Sequence, residues 1–233
     1  MNINQLFWKT VTAAAMSFAF GTVAHAQATG NGGAWFASPG DLPAQSAKLT
    51  TLDALAITPD SNGDRLFSLD VVYGDDATSE SGVGIEVHFD STKIELVSTE
   101  NVDASGGVNA GDNAASLTQT AYAAFTTANG RAPATLTTPD AAADSLIYPG
   151  WSSFTAAGFA PTATLEAPLR LLTLNLKFLS AAEGDSKIHI VQGGATVLAS
   201  ISGYPQETIT ITGPEVAQRA NLTLAYGSDG AGA

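Results

Sequence analysis

Between Val83 and Val97 the chain reads VGIEVHFDSTKIELV, and apolar side chains recur at every second position. Val83, Ile85, Val87 and Phe89 fall on one side and Gly84, Glu86 and His88 on the other, the period of a strand with one buried and one wet face. Asp90, Ser91 and Thr92 follow, and their short side-chain oxygens bond nearby backbone and favour a turn. Lys93 to Val97 resumes the alternation with Ile94 and Leu96 inward. The same period marks residues 66–73 (LFSLDVVY), with Phe67, Leu69, Val71 and Tyr73 inward. It returns in residues 169–179, where Leu172, Leu174, Leu176 and Phe178 make one face.

Shorter alternating runs occupy residues 186–191, 195–201, 207–212 and 221–226, and residues 49–57 read as an irregular first strand. Residues 115–127 fit one long strand or a short helix, because Ala and Thr decide poorly between them. Residues 145–151 (SLIYPGW) have strand composition, with a proline that belongs at an edge or a bend. About ten short strands and no convincing amphipathic helix predict an all-β sandwich or barrel in a single domain. Residues 27–48 are rich in Gly, Ala, Pro and Ser and predict a flexible leader. Within it Trp35 and Phe36 are expected to dock, on their own domain or on a neighbouring subunit.

The first 26 residues change the picture of where the protein works. Lys9, an apolar run from Val11 to Phe20 and Ala24-His25-Ala26 have the form of a secretory signal peptide cleaved after Ala26. The run is shorter than the roughly 20 apolar residues a spanning helix needs. A secreted or cell-surface bacterial protein follows, with residues 49–226 as the domain and 227–233 as a flexible tail. The formal net charge is −13, from 22 Asp+Glu against 9 Lys+Arg, and is one unit more negative once Lys9 leaves. That excess argues against nucleic acid and anionic membrane as partners. The chain has no cysteine, which excludes disulfides, thiolate metal sites and cysteine nucleophiles.

The order of motifs carries a resemblance. Val87-His88-Phe89-Asp90-Ser91-Thr92-Lys93-Ile94, and later Leu172-Thr173-Leu174-Asn175-Leu176 with a short acidic turn and another alternating strand, resemble the cohesin-like domains of bacterial extracellular proteins. The likeness spans roughly residues 49–197, with a middle, residues 101–168, longer than that pattern. It implies a single jelly-roll β-sandwich of about nine to ten strands, the fold shared with a class of cellulose-binding modules. It also implies partnership with other proteins, as in dockerin binding or surface scaffolding.

Candidate chemistry lies in the acidic loops. Asp60, Asn62 and Asp64 place oxygens at alternate positions of a tight glycine-containing loop, the spacing by which side chains converge on calcium. The same residues also read as an ordinary turn that needs no metal. Asp75, Asp76 and Glu80 form a second acidic cluster, and Asp140 with Asp144 a third. Crowded carboxylates repel unless something neutralises them, so calcium is the expected cation. His88 and His189 are expected on solvated strand faces, without a catalytic role. No G-x-S-x-G elbow, H-E-x-x-H or phosphate loop is present, and no enzyme is expected.

The expected function is a non-enzymatic extracellular-matrix or surface protein. It would associate with other copies of itself or with a surface protein, with the leader able to add a strand to a neighbour's sheet and calcium as stabiliser. The alternative is a carbohydrate-binding module that stacks polysaccharide on Trp35, Tyr148 and Trp151.

Overall fold

The structure is a computed structural model that describes residues 33–74, 82–103, 114–136, 142–152, 163–192 and 206–215. Along the chain the strands are β1 (Gly33–Ala37), β2 (Thr51–Asp53), β3 (Arg65–Gly74), β4 (Gly82–Phe89), β5 (Ile94–Glu100) and β6 (Thr120–Ala121). After one helix, α1 (Tyr122–Asn129), come β7 (Ser145–Ile147), β8 (Gly150–Ser152), β9 (Leu169–Phe178), β10 (Ser186–Gln192) and β11 (Glu207–Thr212). They form two sheets. One has four strands in the order β1-β3-β9-β5; the other has seven, ordered β2-β11-β10-β4-β7-β6 with β8 also paired to β4. The all-β sandwich expected from the alternation is the fold. The strands expected at residues 195–201 and 221–226 lie outside the described residues.

One core fills the space between the sheets. Phe67, Leu69, Val71 and Tyr73 of β3 and Leu172, Leu174, Leu176 and Phe178 of β9 meet Val83, Ile85, Val87 and Phe89 of β4. Ile188, Ile190, Ile209 and Ile211 complete the opposite layer. These are the positions the period of two selects, and each such side chain contributes about 1.5–3 kcal/mol by leaving water. Two irregularities bend the four-stranded sheet. Between β3 and β9 the register steps from Val71↔Leu172 to Val72↔Arg170, which leaves Leu171 as an extra residue. Between β5 and β9 it steps past Val97, which is left exposed.

The turn between β4 and β5 is a corner between sheets, since its two strands belong to different ones. Asp90 Oδ1 accepts the Thr92 N–H (2.9 Å) and hydroxyl (2.6 Å). The Asp90 carbonyl accepts from Lys93 (3.1 Å) and Ile94 (2.9 Å). The run Asp90-Ser91-Thr92 thus works as its composition predicts, and its closure lets one amphipathic pattern serve both layers.

Residues 33–48 differ from the flexible leader expected of them. β1 pairs with β3 from Gly33↔Gly74 to Ala37↔Asp70. Phe36 enters the main core, while Trp35 packs with Ala37, Val72 and Leu165 on the sheet's outer side. The following segment folds back through Trp35 Nε1 to the Pro43 carbonyl (3.2 Å) and Leu49 N–H to the Phe36 carbonyl (2.9 Å). Pairing an otherwise open sheet edge and burying two aromatic rings outweighs the loop-like composition. The aromatic pair therefore docks on its own domain. The irregular strand over 49–57 contracts to β2, followed by a 3₁₀ turn at Ala54–Ala56. Residues 115–127 divide into a 3₁₀ turn (Ala114–Leu117), β6 and most of α1. Pro149 sits in the bend between β7 and β8, both of which pair with β4.

Close packing at one glycine gives a test. A Cβ on Gly74 would lie 2.2 Å from the Thr164 carbonyl oxygen and 2.9 Å from the Trp35 ring, whereas one on Gly150 meets nothing nearer than 3.9 Å. Gly74→Ala is expected to lower unfolding free energy by about 1–3 kcal/mol. Gly150→Ala is expected to stay within about 0.5 kcal/mol of the parent. Urea denaturation of both variants checks the contrast.

Candidate functional site

The outer face of β4 holds the densest set of ionisable side chains among the described residues. Alternation sends Glu86 and His88 to that face as expected, but the structure corrects their expected wetness: both are fully buried. His189, paired with His88 across β10, is fully buried as well and bonds Thr208 Oγ1 at 3.0 Å. The cover over Glu86 and His88 is residues 122–134. Tyr122 OH lies 2.7 Å from His88 Nδ1, and the other ring nitrogen lies 3.1 Å from Glu86 Oε2. The Ala134 N–H donates to Glu86 Oε2 at 2.7 Å, and Arg131 Nη1 reaches Glu86 Oε1 at 2.7 Å. The His88 and Arg131 approaches are close contacts by distance; His88 Nε2 and Glu86 Oε1 make no well-directed hydrogen bond.

Burial pushes the Glu86 carboxyl up, but His88, the Ala134 N–H and Arg131 together outweigh it and hold the group below its ordinary range. The covering segment gains its shape from this docking. α1 has no side-chain cap at its start and ends at Gly130, whose φ of 65° is the left-handed conformation glycine adopts at no cost. Phe125 is its one buried residue, set edge-on to Tyr148 (4.9 Å between ring centroids) with Arg131 4.6 Å over its ring. Sequence reasoning missed this cluster. The signal available was two histidines and a glutamate on outward strand positions, and it does not say what covers them.

The acidic loops have other employment where they are described. Asp60 Oδ1 accepts the backbone N–H groups of Asn62 (2.7 Å) and Asp64 (3.0 Å), closing the loop on itself. Asp64 turns away to the Ser180 N–H (2.7 Å) and toward Lys177 (3.7 Å). The Ser180 backbone bond, ahead of the opposing effect of burial, lowers the Asp64 carboxyl below its ordinary range. Asp144 grips the corner turn through the Ser91 N–H (2.9 Å) and hydroxyl (2.7 Å). Among the described residues no three His, Asp or Glu side chains gather closely enough to share a metal ion. Asp75, Asp76, Glu80 and Asp140 lie outside the described residues.

Two of the three aromatics expected to stack sugars are internal. Trp35 is 0% exposed and Trp151 1%, the latter in the main core with its Nε1 donating to the Asp103 carbonyl at 3.2 Å. Tyr148 is half-buried against Phe125. Neither tryptophan presents a ring face to solvent, because each packs between elements: Trp151 in the main core, Trp35 against Ala37, Val72 and Leu165.

The outer face of the four-stranded sheet is different in kind. Across β3, β9 and β5 the register lines up Leu66, Lys177 and Glu95, then Ser68, Asn175 and Ser98, then Asp70, Thr173 and Glu100. Ser68 Oγ donates to Asn175 Oδ1 (2.7 Å), and Asn175 Nδ2 donates to Ser98 Oγ (2.9 Å). Lys177 reaches Glu95 at 3.0 Å, a bond that raises its ammonium above the usual lysine range. At the covered end Asp70 accepts from Thr173 (2.6 Å), Arg170 (2.7 Å) and the Gly40 N–H (3.0 Å). The result is a polar ladder with side chains tied to one another, half-buried to exposed over its first two rows.

No family model matches this chain, and no curated protein matches it. Among solved structures it is similar to a type III cohesin module from a cell-surface anchoring scaffoldin of Ruminococcus flavefaciens, at 16% identity and a TM-score of 0.39, covering 84% of this chain and 94% of that one. It is also similar to a cohesin from Clostridium acetobutylicum, at 12% identity and a TM-score of 0.38, over 72% of this chain and 88% of the other. A third is a scaffoldin cohesin from Acetivibrio cellulolyticus solved with a dockerin, at 15% identity and a TM-score of 0.37, over 70% and 94%.

Removing one member of a buried charge cluster leaves its partners uncompensated. Glu86→Ala is expected to cost about 3–5 kcal/mol of stability. The Glu86 carboxyl is lowered from an ordinary value of 4.5. Its contribution is therefore fully present above that pH and is lost as pH falls through the lowered value. Urea midpoints collected from neutral pH downward should decline in the parent below that point, with this component absent from Glu86→Ala.

Proposed function

We propose that this chain is an exported, non-enzymatic β-sandwich that associates with a protein partner at a bacterial surface or in the extracellular matrix. The observation that carries the reading is the ladder on the outer face of the four-stranded sheet. Its side chains are already fixed by lateral bonds, so docking costs little further side-chain entropy. Its polar, laterally bonded side chains suit another protein's surface better than a small molecule, which binds in concave, mostly apolar sites. Glu86 and His88, at the centre of the ionisable cluster on β4, are fully buried. The signal-like first 26 residues support export, and the cohesin-like order of motifs supports association with protein.

The partner is a second copy of this chain or another surface protein. Exposed Leu66 and half-buried Ser98 lie on neighbouring rows of the ladder, so arginines there should block docking without disturbing the core. Sedimentation of residues 27–233, alone and with the surface fraction of the producing cells, is expected to reveal a complex. The Leu66→Arg/Ser98→Arg variant, with an unchanged melting temperature, should not form it. A complex that persists in the variant, or the lack of one for the parent, would sink the proposal.

Calcium forms a separate part of the reading, supported by the repulsion within the Asp75, Asp76 and Glu80 run. Bound ion would raise the melting temperature by mass action. Melts with added calcium and with chelator should therefore differ; coincident curves remove calcium from the description.

A further inference from the structure

We propose that residues 122–134 act as an acid-released strap, a pH-sensitive cover fastened across the outer face of β4 and β7. Beside the Tyr122 N–H bond to the Asp144 carbonyl (2.9 Å), the geometry gathers polar anchors of this segment to β4 on one linked pair of side chains. At its start, Tyr122 holds His88, which in turn touches Glu86. At its end, Arg131 and the Ala134 N–H both hold Glu86 directly. Between these anchors the strap offers the sheet one buried ring, Phe125, while Ala123, Ala124, Thr126, Thr127 and Ala128 face solvent.

An eight-residue helix does not persist on its own in water. The strap's order therefore depends on its fastenings. Adding a proton to Glu86 removes the attraction to Arg131 and converts an acceptor oxygen into a donor facing other donors. The ionised carboxyl, favoured by its three partners, keeps the strap shut at neutral pH. The other ionisable groups facing the strap are His88, Tyr122 and Arg131 within the cluster, Tyr148, set edge-on to Phe125, and His189, which faces His88 from β10 and bonds Thr208. The four-stranded sheet takes no part, so the strap can open while β9 stays paired to β3 and β5, and β10 to β11. Opening would expose the Phe125 ring and Leu146 of β7, both fully buried when it is closed.

The test uses residues 27–233 at neutral pH and trypsin cleavage after Arg131. Glu86→Gln keeps the side chain's shape and mimics the protonated carboxyl. Its cleavage there should be about tenfold faster than in the parent, the effect of weakening a bond to a charged group. Cleavage after Lys177 and Lys187, in strands β9 and β10, should be unchanged. Tyr122→Phe, which removes only the first anchor, should show a smaller increase at the same bond and serves if Glu86→Gln does not fold. In the parent, amide NMR signals of residues 122–130 should broaden or shift on acidification before those of β9 and β10. Cleavage after Arg131 that matches the parent in both variants would overturn the proposal. So would loss of strap and core signals together in one acid transition.

Discussion

With no cysteine in the chain, the contact between the inward faces of the two sheets supplies stability that disulfides give in other domains. β9 sits at the centre of that contact. It is flanked by β3 and β5, and five of its side chains belong to the core shared with β4, β10 and β11. Everything at the surface is arranged around keeping this interior closed. The corner at Asp90 carries the chain from one sheet to the other, and Asp144 locks that corner from outside through Ser91.

The same demand explains the edges. A sandwich exposes unpaired strand edges, and these invite aggregation unless they are short, bulged or covered. β5 carries a bulge at Val97, and the Leu96 N–H on its outer edge is taken by the Gln119 side chain. β1 has its Phe36 carbonyl bonded by Leu49, and β2 and β6 are three and two residues long. Polar chemistry is handled alike: acidic side chains that look free in the sequence are spent on turns, backbone N–H groups and cations. Asp60, Asp64, Asp70 and Asp144 all serve this way, which is why acidic clustering alone says little about metal.

The two outer faces of the sandwich have separate characters. One is a fixed polar ladder, half-buried to exposed, the other a buried charge cluster beneath a short helical cover. Both arise from the residues left over after alternation has assigned its apolar half to the core. What distinguishes them is coverage. The insertion between β5 and β7 returns over β4 and shields Glu86 and His88, while no described segment returns over Ser68, Asn175 and Ser98.

Alternation along Val83–Val97 and Leu169–Leu179 was enough to establish the strands, their inward faces and a turn at Asp90, because side-chain direction in a strand depends only on local geometry. Composition and the absence of cysteine likewise bounded the class of chemistry. Three things had to wait for tertiary structure: that the loop-like residues 33–48 contain an edge strand, that Trp35 and Trp151 are internal, and that Glu86 and His88 are dry. Each depends on which distant segment lies on top, and local patterns carry no record of that. The period of two says which way a residue points; only the packed chain decides whether water is waiting there.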